Sequence, residues 1–179
     1  IMPPWKPAPG HGDFRDNFSL TEEERQTILN WIAAEMPEGV KEDLPEPLPE
    51  TGDWQLGPPD LVLEMPEFEV PRAKDVYRCF VLPTNFDETR FVTAAQSLPG
   101  NKQIVHHVLL FIDRNGASEK FDGQDGYPGY SCFGGPLFSL GVGDLLGGWA
   151  PGLRMRHLPE GIGIALPAKA RIVMQVHYF

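Results

Sequence analysis

The chain has no basic run, no long apolar segment and very little helical periodicity, and each absence removes a class of protein. Lys and Arg number 15 against 25 Asp and Glu, a formal net charge of -10. No stretch interleaves basic and aromatic residues. The charge balance argues against a nucleic-acid or anionic-membrane partner. The longest apolar stretch, residues 108–112, falls far short of the roughly 20 residues that cross a bilayer. No secretory signal is visible, and the chain begins with Ile1 rather than an initiator Met. It stops at Phe179, directly after an apolar strand pattern, so both ends read as cut and a fragment of a longer protein is expected.

What is present is turn chemistry. The 19 Pro and 19 Gly are spread between apolar runs, which suits short strands joined by turns rather than a helical bundle. The one convincing helix lies within residues 1–39. Thr21 and Glu24 have capping-box spacing, and Ile28, Trp31, Ile32 and Met36 recur at helical spacing. Pro37 and Gly39 should end it. Residues 40–59 carry Pro45, Pro47, Pro49, Pro58 and Pro59 among acidic residues and are expected to be an extended linker. Residues 60–179 read as strands at 61–65, 76–82, 103–112 and 171–179. Residues 114–157 are Gly-rich and aperiodic, an excursion with room for one or two short strands. The expected architecture is mainly β, an antiparallel sandwich with a short N-terminal helical segment.

The five histidines are His11, His106, His107, His157 and His177. His106 and His107 are adjacent inside the apolar strand Ile104-Val105-His106-His107-Val108-Leu109-Leu110-Phe111. Strand side chains alternate faces, so at least one imidazole points into packed surroundings, where it needs a partner. A metal would satisfy its lone pair. His177 sits in a second strand, Val173-Met174-Gln175-Val176-His177-Tyr178. Three imidazoles without thiolate suit copper or zinc. Strict alternation would keep the two neighbours from reaching one ion, so a bulge is required at His106 and His107. His11 and His157 lie in loop contexts and are expected to be remote. Cys79 and Cys132 could be metal ligands or a disulfide.

At these residues the sequence resembles the N-terminal half of the copper type II, ascorbate-dependent monooxygenases. Asp75-Val76-Tyr77-Arg78-Cys79 resembles that family's Asp-x-Tyr-x-Cys strand, and His106-His107-Val108-Leu109-Leu110-Phe111 its double-His strand. Leu158-Pro159-Glu160-Gly161-Ile162-Gly163 resembles its Leu-Pro-x-Gly-x-Gly turn, and Val173-Met174-Gln175-Val176-His177-Tyr178 its Val-Leu-Gln-Val-His-Tyr strand. The four occur in the family's order. The resemblance implies a jelly-roll-like sandwich, with copper at His106, His107 and His177 as the electron-storing site. The oxygen-activating copper, on a His-x-His pair and a Met, would belong to a following domain. The resemblance also implies a disulfide at the Cys of the Asp-x-Tyr-x-Cys strand, here Cys79 with Cys132. A persisting disulfide points to the periplasm or the exterior.

Residues 1–39 resemble the C-terminal end of a class I cytochrome c. Met2-Pro3-Pro4-Trp5 is similar to the loop that presents the axial Met, which implies Met2 as a haem ligand. No Cys-x-x-Cys-His occurs in the chain, so haem c would require an upstream segment. The expectation is therefore a cytochrome c remnant (1–39), a linker (40–59) and a copper domain (60–179). Electrons would come from the cytochrome or from ascorbate, and the substrate would be a small or peptide-like molecule. The alternatives are a copper or haem electron-transfer protein without hydroxylase activity, a three-His zinc hydrolase, and a β-sandwich interaction module whose His pair is core.

Overall fold

The structure is a computed structural model that describes residues 8, 10–14, 17, 19–46, 54–72 and 75–179. Met2, Trp5 and Phe18 lie outside these. The chain divides into two units, Ile1–Pro49 and Glu50–Phe179.

In the first unit the helix α1 spans Glu22–Ala33. The capping box forms: the Thr21 hydroxyl accepts from the Glu24 N–H at 3.2 Å, and the Thr21 N–H donates to the Glu24 carboxylate at 2.7 Å. The helix stops short of Met36. Glu35 and Met36 turn to positive φ (62° and 55°), and Pro37 has no N–H with which to continue the ladder. The apolar stripe is real but uncovered, with Ile28 44%, Trp31 49% and Ile32 51% exposed. Within the stretch expected to be extended, Lys41–Asp43 form a 3₁₀ turn.

The second unit is mainly β. Its principal sheet is antiparallel, in the order β4-β1-β7-β3-β5. These strands are β1 (Val76–Pro83), β3 (Val105–Asp113), β4 (Tyr130–Ser131), β5 (Leu145–Trp149) and β7 (Arg171–Tyr178). β2 (Arg90–Val92) and β6 (Ile164–Leu166) form a two-stranded ribbon. Neither was legible as a strand in the sequence, because three residues are too few to show alternation.

The central strand β7 pairs with β1 on one side and β3 on the other. Alternation assigns its two faces different jobs. Ile172, Val176 and Tyr178 join Phe80, Leu82, Val108, Leu110 and Ile112 in the main core, which the ribbon covers through Val92, Ile164 and Leu166. Val173 on the opposite face joins Cys79, Phe111, Tyr130 and Cys132 in a second, smaller core.

Residues 61–65 depart from expectation. They form no strand among the described residues. Leu63, Met65, Phe68 and Val70 still alternate inward onto the main core, while Pro66 and Pro71 cannot donate to a ladder.

The 114–157 excursion is tied down at several points. The buried Asp113 carboxylate accepts from the N–H groups of Ala117 (3.0 Å) and Ser118 (2.8 Å). The buried Arg78 guanidinium donates to the carbonyls of Pro128 (2.8 Å), Tyr127 (2.9 Å) and Gly129 (3.0 Å) and pairs with Asp125. Cys79 and Cys132 form a disulfide with Cα atoms 5.9 Å apart. Here the backbones approach so closely that a Cβ on Gly129 would lie 2.3 Å from the Cys79 carbonyl oxygen, at a φ of +74°.

Candidate metal centre

The register of β3 changes where the two histidines lie. Val105 pairs with Tyr178, yet the next paired residue is His107, opposite His177. His106 is thus the extra residue of a β-bulge, which re-aims its side chain. This is the irregularity that two neighbouring ligands require. On the other edge of β7, Tyr77 pairs with His177. The three strands therefore carry Tyr77, His177 and His107 as one cross-strand row, with His106 brought in by the bulge.

The three rings converge. Centroid separations are 5.3 Å for His106 to His107, 4.8 Å for His106 to His177 and 4.9 Å for His107 to His177. One ring nitrogen from each lies within 4.8 Å of the other two. The Nδ1 atoms of His106 and His107 are 3.1 Å apart, so without a metal one donates and the other accepts. The cluster is graded in burial: His177 is 6% exposed, His107 half-buried and His106 exposed. His107 has its pKa lowered, first by burial and then by the neighbouring His177 and His106, which favours the neutral ring.

His177 has two further partners that the sequence reading did not single out as site residues. Asp75 Oδ1 lies 2.7 Å from its Nε2. Tyr77 stacks on its ring at 4.0 Å and 10° from parallel, and Phe133 meets Tyr77 edge-on at 5.0 Å. The remaining nitrogen, Nδ1, is buried and has no hydrogen-bond partner among the described residues. Asp75, Tyr77 and Cys79 share one strand face by alternation, a signal present in the sequence. Only the pairing of β1 with β7 reveals that this face meets His177. One row further along, Gln175 donates to the Cys132 carbonyl at 2.9 Å, tying the disulfide to the strand that carries His177.

Two shallow clefts border the cluster. One is lined by Asp75, Val76, Tyr77, Ser131 and Phe133. The other runs along His106 and His107 to Lys102, Pro151 and Phe179. His11 and His157 are exposed and stand outside the three-His group.

Residues 61–179 match the family described as copper type II ascorbate-dependent monooxygenase, N-terminal domain. The chain belongs to this family. The matched span contains the seven strands found among the described residues, the disulfide and the three clustered histidines. Comparison with curated proteins and with solved structures gives no match. Membership makes the domain part of a copper-dependent oxidoreductase family whose description names ascorbate. Among the described residues, no helix is long and apolar enough to cross a membrane.

Proposed function

We propose that His106, His107 and His177 hold one copper ion and that this domain is the electron-transfer half of a copper-dependent monooxygenase. The observation that carries the reading is the orphaned Nδ1 of His177. A buried imidazole nitrogen without a partner is costly, and here it belongs to a ring packed against two other histidines. The donor set fits copper, for which imidazole nitrogen is a matched ligand. When bound, copper would supply one-electron storage. The chain's own residues do the rest: the bulge at His106 gathers the ligands, and Tyr77 and Asp75 fix the ring of His177. The Cys79–Cys132 disulfide anchors the excursion beside them.

A three-His zinc hydrolase fits less well. It needs a carboxylate free to act as base, and Asp75, hydrogen-bonded to His177, is engaged. The intact enzyme would use O2 to hydroxylate a small or peptide-like substrate. Its electrons would come from ascorbate, which the family description names, or from a cytochrome c domain of which residues 1–39 would be the remnant. The exposed stripe of α1 supports that remnant, since an apolar helix face is made to be covered. The axial-ligand role proposed for Met2 falls outside the described residues. The disulfide supports a periplasmic or secreted location.

The test is a Cu(II) titration followed by electron paramagnetic resonance and metal analysis. One copper per chain with a nitrogen-rich type II spectrum is expected. A blue, strongly absorbing form, or tight zinc with no copper, would overturn the proposal.

A further inference from the structure

We propose that Asp75 is a positioning residue that fixes the tautomer of His177 and so decides which nitrogen the metal receives. The inference rests on the copper reading above for its consequence but not for its structural content. Asp75 Oδ1 lies 2.7 Å from Nε2 of His177, and an ionised carboxylate can only accept a hydrogen bond. Nε2 must therefore carry the proton. In the neutral imidazole this leaves Nδ1 with its lone pair free, and Nδ1 is the buried nitrogen that has no partner. The Asp75 contact thus sets the tautomer, and the nitrogen it leaves with a lone pair is the one that is buried without a partner.

The ring cannot readily escape this arrangement. Tyr77 lies flat against one face at 4.0 Å, and His106 and His107 crowd it at 4.8 and 4.9 Å. A 180° ring flip would bring Cε1 to the position of Nε2 and Cδ2 to the position of Nδ1, so the carboxylate would lose its N–H donor. The carboxylate makes that costly, because it would then face a ring C–H in place of the N–H it now accepts from. Asp75 stands at the start of β1, one residue before Val76, whereas His177 lies near the end of β7. The pair therefore also closes the end of the β1–β7 ladder. The side chain of Asp75 is 63% exposed while that of His177 is 8% exposed, so the carboxylate keeps part of its hydration while orienting a buried ring. Carboxylates that hold the distal N–H of a ligating histidine commonly set ligand orientation and basicity, and their loss commonly costs about 10–100-fold in metal affinity.

Two measurements on the 179-residue chain test this separately from copper function. Long-range nitrogen–proton correlation spectra of the metal-free protein report each histidine tautomer. The wild type should show His177 protonated on Nε2, and Asp75→Ala should show loss of that single tautomer while the backbone spectrum of β7 is retained. A wild-type His177 protonated on Nδ1, or an Asp75→Ala spectrum with an unchanged tautomer, would overturn the proposal whether or not copper binds. In Cu(II) titrations, Asp75→Ala should weaken binding about 10–100-fold and alter the copper hyperfine splitting. Asp75→Glu, which keeps a carboxylate within reach, should recover most of the affinity. Equal affinity and an identical spectrum in Asp75→Ala would also overturn the positioning role. Absence of copper binding in the wild type would instead defeat the functional reading and leave the tautomer result standing.

Discussion

His107 faces His177 directly across the β3–β7 ladder, and the register slip that lets His106 join them falls at the intervening residue. The geometry makes the three proposed ligands unequal. His177 is buried and locked, His107 is half-buried, and His106 is exposed on the bulge. His177→Ala should therefore abolish tight Cu(II) binding, because it removes the preorganised ligand. His106→Ala should weaken binding less, since a water or an added imidazole can reach the exposed position. His157→Ala should bind as the wild type does. Isothermal titration with Cu(II) measures all three, and equal losses in His177→Ala and His157→Ala would show that the third ligand is misassigned.

The acid sensitivity of the site follows from the same rings. Metal binding requires neutral imidazole, so protons compete for each ligand. The lowered pKa of His107 means that this ring stays neutral further into the acid range than an ordinary histidine, whose reference value is 6.5. Copper should hold at neutral pH and leave as pH falls below about 6.5, with more than one proton taken up per copper released. The metal-free fold should show the linkage too. A histidine with a depressed folded pKa binds its proton more readily when unfolded. Its contribution to stability is complete above the unfolded value and is lost as pH drops through the lower folded value. Chemical denaturation of the apo chain from pH 7.5 to 5 should show stability falling with pH, and His107→Ala should flatten that slope.

The cysteines permit a stability prediction. The bridge links positions separated by 53 residues, and closing a loop of that size removes about 4 kcal/mol of chain entropy from the unfolded state. Cys79→Ser with Cys132→Ser should lower unfolding free energy by about that amount. Because Cys132 precedes Phe133, which meets Tyr77, the double variant should also loosen the packing around His177. Thiol titration of the unreduced, denatured wild type should find no reactive thiol, and two would sink the bridge.

Much of this candidate site is legible in the sequence. The double histidine in an apolar strand demanded a partner and a bulge; the bulge is present, and both rings converge with His177. The strands with long alternation, β1, β3 and β7, were readable because burial on a pleated face writes a period of two into the sequence. β2 and β6 were not, because three residues carry no period. The segment at 61–65 misled because its alternation reports one-sided burial, which an unpaired extended chain also produces. The helix was placed by its cap, but its end was set by backbone turns at Glu35 and Met36 that apolar spacing does not encode. Asp75 and Tyr77 stayed hidden as partners of His177 because they depend on which strands pair, a long-range choice that local pattern does not specify.

Arg78 clamps the excursion, and its loss should be felt beyond one ion pair. Its guanidinium is nearly buried, and it serves the carbonyls of Tyr127, Pro128 and Gly129 as well as Asp125. Arg78→Ala would remove a donor from four acceptors, of which the Gly129 carbonyl keeps the Gly123 N–H, and should destabilise the domain by about 2–3 kcal/mol. Lysine cannot reproduce the planar fork, so Arg78→Lys should recover only part. The acid range isolates the ionic share. Hydrogen bonding from Arg78 holds the Asp125 carboxyl down to about 2, from a reference of 3.8. A carboxylate with a depressed folded pKa contributes stability that is present above its unfolded value and lost as pH falls through the folded one. The contribution of Asp125 should therefore be complete above about pH 4 and vanish between about 4 and 2. Asp113, which burial alone would raise, is held net low by hydrogen bonds from Ser118, Ala117 and Asn115 and titrates in the same direction. Asp125→Asn should thus reduce the acid-induced loss without removing it. Urea unfolding of the apo wild type and Asp125→Asn at pH 6, 4, 3 and 2 makes the comparison. Parallel curves for the two proteins would mean that the Arg78–Asp125 pair does not carry this dependence.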